Sequence, residues 1–173
     1  MKLVKTEDAV GQVLCHDITQ IIKGVTKDAV FRKGHVVKEE DIPVLLSVGK
    51  EHLYIWEKEE GMLHENEAAE ILRKICQGSN MHPSDVKEGK IELIADIDGV
   101  LKIDVEKLNR INSLGEIMIA SRHGNFPIKK GDKIAGTRVI PLVIHEDKMK
   151  AAEEIGGDEP IFQVRPYEKK KVG

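Results

Sequence analysis

Phe31-Arg32-Lys33-Gly34-His35-Val36-Val37 runs straight into Lys38-Glu39-Glu40-Asp41-Ile42-Pro43-Val44-Leu45-Leu46-Ser47-Val48-Gly49. The first seven residues read as a tight turn between extended pieces. The acids at 39–41 open a helix, where its dipole favours negative charge. Pro43 is tolerated in that first turn. Ile42, Leu45 and Leu46 fall at i, i+3 and i+4 and are expected to be buried, and Gly49 stops the helix. Working outward, Thr6-Glu7-Asp8-Ala9-Val10-Gly11 reads as a short capped turn of helix, and Val13 to Ile18 as a strand leading into a loop. His52 to Glu57 alternates around Leu53 and Ile55, with Tyr54 and Trp56 beside them, as a strand does. Glu65 to Gln77 is the strongest helix: Ala68, Ala69, Leu72, Ile75 and Cys76 share one stripe, and Gly78 ends it.

Ser79 to Asp85 has loop composition, which predicts a domain boundary with residues 1–78 before it and 79–167 after it. In the second half Ile91 to Asp96 reads as a strand, Asp98-Gly99 as a hairpin-type turn and Val100 to Ile103 as a second strand. Asp104 caps a helix carrying Val105, Leu108, Ile111 and Asn112. Ile117 to Ala120 is an apolar strand that ends in Ser121-Arg122-His123-Gly124-Asn125. Thr137 to Ile144 is a β-branched strand broken by Pro141, as at an edge or bulge. A helix over 146–155, stopped by Gly156-Gly157, and a short strand over 161–164 complete the half. Residues 168–173 read as a basic linker. Ile128-Lys129-Lys130-Gly131-Asp132-Lys133-Ile134 resembles the turn at 31–37, each placing Lys-Gly at a reversal, and shared turn chemistry accounts for a likeness over seven residues; a duplication would need more matched positions. The fold class is α+β.

Lys plus Arg number 27 against 30 Asp plus Glu in 173 residues, a net charge of −3, and only six residues are aromatic. Neither a basic footprint nor a stacking platform for nucleic acid is present. Cys15 and Cys76 form no CxxC, so neither a zinc site nor a disulfide framework is expected. No apolar run reaches the length of a membrane span, residues 1–30 contain no signal-type apolar core, and a cytoplasmic location is expected.

His64-Glu65 and His145-Glu146 each lack the second histidine of a helical zinc site, since Ala68 and Met149 stand there. No glycine-rich phosphate loop occurs, and Asp96-Ile97-Asp98-Gly99 fails as a calcium loop at Val100 and Lys107. Leu93 to Leu101 resembles the first motif of haloacid-dehalogenase-type phosphatases, in which the two aspartates, here Asp96 and Asp98, work beside Mg²⁺. The alternative is a hairpin turn with two solvated aspartates. Arg122, His123 and Asn125, with Arg138, are candidate ligands for an anion. Against that stands a plain hairpin loop in which Gly124 supplies the permissive backbone. His16-Asp17 is either an imidazole–carboxylate pair or a pair of turn residues.

Thr6 to Ile18 resembles the opening "EA-x-G-x-x-L-A-x-D-V" pattern of the MoeA-type molybdopterin molybdotransferases. Phe31 to Gly49 resembles that family's turn-plus-helix segment, and also SAF, or β-clip, domains. Asp96 to Ile144 looks like the middle region of clostridial-type molybdopterin-binding proteins. The family's Ser-Ala-Met-Asp-Gly-Tyr-Ala motif is missing, and Gly24 to Val30 stands in that stretch. The resemblance implies a β-clip-like first half followed by a small mixed α/β sheet domain. It implies a non-catalytic N-terminal module in molybdenum cofactor biosynthesis or handling, with no catalytic residue to carry over. Molybdopterin would be held by a C-terminal molybdopterin-binding domain beyond Gly173, and a homodimer is possible within the family. A SAF-type sugar or sugar-acid binding module is the third expectation.

Overall fold

The computed structural model describes residues 1–22, 26–56 and 59–171. They form a mixed α/β protein of small antiparallel sheets and four helices, divided into two compact units, Met1–Glu59 and Glu60–Gly173.

In the first unit, β1 (Lys2–Lys5) and β2 (Val13–Leu14) flank β5 (His52–Trp56) in an antiparallel sheet, with Leu3 opposite Tyr54 and Leu14 opposite Ile55. β3 (Ile18–Ile22) and β4 (Thr26–Phe31) make a separate hairpin. Gly24 and Val25, part of the stretch standing in for the missing motif, lie outside the described residues. Because side chains alternate across a strand, Leu53 and Ile55 are buried while His52 and Tyr54 face out. They pack with Ala9, Leu14, Ile18, Val37 and Leu45 into one core. The helix is shorter than its acidic opening suggests. Glu39–Asp41 is a 3₁₀ turn, and α1 covers only Ile42–Ser47. Leu45 takes the inward position, and Leu46, one residue and some 100° further round, is 38% exposed and not core.

The second unit opens with β6 (Met62–His64) and α2 (Glu65–Cys76), so the strongest helix belongs here and not to the first half. The loop-like stretch after it is no linker. β7 (Met81–Pro83) pairs with β8 (Lys90–Ala95) at the edge of a sheet, and the division of the chain falls near residue 60 instead of 78. β9 (Gly99–Ile103), α3 (Val105–Asn112), β10 (Ile117–Ser121), β11 (Pro127–Ile128), β12 (Lys133–Val139), β13 (Val143–His145), α4 (Glu146–Gly156) and β14 (Phe162–Pro166) follow. The sheets are β10-β12-β8-β7, β11-β9-β14 and β13-β6, so β8 and β9 lie in different sheets and Asp98-Gly99 joins them without closing the expected hairpin. The expected strand over 137–144 is therefore two. Pro141, which has no N–H for a ladder, lies between β12 and β13, and β13 pairs with β6. Leu72, Ile91, Leu93, Leu101, Ile111, Ile134, Met149 and Phe162 are among the fully buried side chains of this unit.

Candidate functional site

The four residues expected to bind an anion are not gathered. Arg122 is committed within the chain: its Nε donates to the Lys133 carbonyl at 2.7 Å and its Nη1 to Asp132 Oδ2 at 3.2 Å. The His123 ring lies 5.4 Å from that of Phe126. Asn125 accepts from Lys102 Nζ at 2.7 Å, and it is Asn125, at φ +62°, not Gly124, that takes the left-handed conformation in this loop. Arg138 stands elsewhere. The loop meets β12 where the Arg122 N–H donates to Ile134, and Arg138 comes four residues later, opposite Met118 and Lys90. At the rise of a strand that separation is roughly 13 Å.

Asp96 and Asp98 are likewise engaged. Asp96 Oδ1 is 2.5 Å from His82 Nδ1, and Asp98 Oδ1 accepts the Lys130 N–H at 2.8 Å. Asp17 accepts the Lys33 N–H at 2.7 Å, while the His16 ring turns to Tyr54 with 5.9 Å between centroids, so the two neighbours do not pair. The imidazole–carboxylate pair of this unit is one the sequence reading missed. His35 Nε2 lies 2.6 Å from Asp41 Oδ2, which also accepts the Lys38 N–H at 2.8 Å. Burial alone would raise the Asp41 carboxyl, but the His35 and Lys38 hydrogen bonds outweigh it and hold it below its ordinary range. The acidic stretch 39–41 was the available signal, although its placement six residues after a histidine does not specify the pairing.

The two similar turns share more than composition. Around Gly34, Leu14 donates to the His35 carbonyl and accepts from the Gly34 N–H, both at 2.9 Å, the His35 N–H reaches Arg32 at 3.0 Å, and Asp17 holds the Lys33 N–H. Around Gly131, Ala95 donates to the Asp132 carbonyl at 2.9 Å and accepts from the Gly131 N–H at 2.8 Å. The Asp132 N–H reaches Lys129 at 3.0 Å, and Asp98 holds the Lys130 N–H. Both glycines are at positive φ, +89° and +88°. Each turn is thus clipped to the end of a strand by the same three hydrogen bonds and closed by a fourth within itself, with the aspartate three residues after the clipped strand residue.

Two shallow clefts open on the second unit. One, of about 470 Å³, includes Lys102, Asp104, Asn125 and Gln163 in its wall. The other, of about 270 Å³, lies between the 84–90 segment and Arg138. In its wall Glu92 Oε1 takes Lys90 Nζ at 2.9 Å and Oε2 takes Lys133 Nζ at 2.7 Å. The Lys133 and then the Lys90 hydrogen bond hold the Glu92 carboxyl below its ordinary range. Burial pushes the Cys76 thiol up to about 12 and raises that of Cys15. Among the described residues no three His, Cys, Asp or Glu side chains gather as a metal site would require. No helix of the described residues is long and apolar enough to cross a membrane.

Compared with known proteins, residues 3–57 match a family model described as a domain of unknown function, DUF8806. That span covers nearly all of the first unit and a third of the chain. No curated protein and no solved structure matches the chain.

Proposed function

We propose that the chain is a non-catalytic N-terminal module of a molybdopterin-binding protein that acts in molybdenum cofactor biosynthesis or handling. In this reading the first unit is a β-clip of SAF type, and the cofactor is held by a C-terminal molybdopterin-binding domain. The observation that carries the reading is the joining of the two stretches with MoeA-type resemblance. Thr6 to Ile18 and Phe31 to Gly49 are separate in sequence, yet Leu14 and Asp17 of the first hold Lys33, Gly34 and His35 of the second through backbone and carboxylate hydrogen bonds. The non-catalytic part is supported by the side chains themselves. Asp96 is turned to His82, Asp98 to the Lys130 N–H and Asp17 to the Lys33 N–H, each through one oxygen, Arg122 is held to the Lys133 carbonyl, and Asp96 and Asp98 lie where β8 leads to β9. A phosphatase pair would direct both carboxylates at one substrate, whereas these two are turned to separate partners.

The test uses the protein expressed from its gene as it occurs. Molybdopterin should be retained through purification, read as the fluorescence of the oxidised pterin. The 173-residue chain alone should neither retain pterin, hydrolyse a generic phosphoester nor insert molybdate. Absence of pterin from the expressed protein would overturn the reading. So would phosphoester turnover lost in Asp96→Asn, or a melting temperature of the chain raised by polyols and not by pterins.

A further inference from the structure

Arg138 lies on β12 directly opposite Lys90 of β8, and both side chains are exposed. Like charges facing each other across a strand pair destabilise the sheet unless a counter-charge is shared between them. The nearby carboxylate, Glu92, is held by Lys90 at one oxygen and by Lys133 at the other, and it makes no ion pair with Arg138. Arg138 therefore has no side-chain partner among the described residues, although it lines a cleft of about 270 Å³ together with Lys87 and Lys90. The approach is open. Gly136 stands opposite Glu92, and a Cβ built there would meet nothing within 4 Å.

We propose that this cleft is a subsite for a small oxyanion, with the Arg138 guanidinium as the bidentate ligand and Lys87 as the second cation. A planar guanidinium matches two oxygens of a phosphate-like group in a way that an ammonium does not. The same cleft also contains Asp85 and Glu88, neither with a side-chain partner among the described residues. With Glu92 these carboxylates balance the cleft's three cations, so an extended polyanion meets no net positive field; they also accept hydrogen bonds from hydroxyl or amino groups, so the occupant is a small phosphomonoester with such donors next to its phosphate. The assignment stands independently of the molybdopterin reading, since neither its residues nor its test involves pterin.

The test is a titration of the ¹⁵N-labelled chain at neutral pH with inorganic phosphate, glycerol phosphate and a short single-stranded oligonucleotide. Amides of 84–90 and the Arg138 Nε–H should shift with both phosphates, the ester binding more tightly. Arg138→Gln should weaken both by roughly tenfold, as the loss of a charged hydrogen bond implies. Lys129→Gln, on the exposed turn, should change nothing. Without phosphate Arg138→Gln should melt no lower than the wild type, because it removes one of two opposed cations. Equal phosphate affinity in wild type and Arg138→Gln would overturn the site, as would shifts confined to the 129–133 turn. A phosphate-free variant that melts well below wild type would identify Arg138 as structural, and tighter binding of the oligonucleotide would overturn the small-ligand assignment.

Discussion

At Asp41 two opposing effects act on one carboxyl. Desolvation favours the protonated form and the His35 and Lys38 hydrogen bonds favour the charged one, with the charged form favoured on balance. A folded-state pKa below the unfolded value makes the group stabilising above the ordinary carboxylate range, around 3.9, and that stability is lost as the pH falls through the folded value. Urea unfolding followed by the single tryptophan, Trp56 of the first unit, should therefore weaken as the pH drops below about 4. Asp41→Asn should be less stable at pH 7 and flatter across that acid range. Superimposable pH profiles would show that the pair contributes nothing. Leucines make a second contrast at this scale. Leu72 is fully buried and Leu46 is 38% exposed. Leu72→Ala should cost about 2–5 kcal/mol in denaturant unfolding, and Leu46→Ala about 0.5 kcal/mol or less. Equal losses would mean that Leu46 is covered in solution.

Among the elements, β10 presents an uncharged strand, Ile117-Met118-Ile119-Ala120-Ser121, at a sheet edge. Such edges invite pairing with other chains. Here the last residue of α3 fills part of the vacant ladder: Asn112 Nδ2 donates to the Ile119 carbonyl at 2.9 Å and its Oδ1 accepts the Ile119 N–H at 2.7 Å. Asn112→Ala leaves two backbone groups without these partners and should cost about 1–3 kcal/mol. It should also speed exchange of the Ile119 amide; an unchanged exchange rate would refute the role. Asn112 is visible in the sequence on the predicted helix, but its partner seven residues on is fixed only by how α3 meets the sheet. The same limit explains other differences. His64 and Gly78 delimit α2 because capping is local, and Asp104 caps α3 for the same reason. Met81-His82-Pro83 reads as loop because a three-residue edge strand has no periodicity to detect, and an edge tolerates proline. Arg122 and Arg138 are equally conspicuous cations in the sequence, yet one finds Asp132 and the other is left facing Lys90.

In the molecule as a whole, each compact unit carries a strand end clipped to a Lys-Gly turn by the same three hydrogen bonds, with a fourth inside the turn, despite little identity beyond the lysine, the glycine and the aspartate. The lysine's amide, not its charge, is what the aspartate holds. The glycine is required by a φ near +90°, which L-residues with a Cβ rarely adopt. A likeness over seven residues is what turn chemistry alone can produce; the hydrogen bonds reaching back to Leu14 and Ala95 are not local to the turns. If the two constructions are mechanically equivalent, they should fail in the same way. Asp17→Ala should release the Lys33 amide and Asp98→Ala the Lys130 amide, each seen as faster hydrogen exchange at that residue and its glycine neighbour. The cost should be about 0.5–1.5 kcal/mol in either case, because both carboxylate bonds are solvent-accessible. Gly131→Ala, where a Cβ meets no atom within 4 Å, isolates the backbone requirement and should cost about 1–2 kcal/mol. A variant pair in which Asp17→Ala loosens its turn while Asp98→Ala leaves Lys130 protected would show that the second turn is held by its surroundings, and that the likeness between the units is geometric without being energetic.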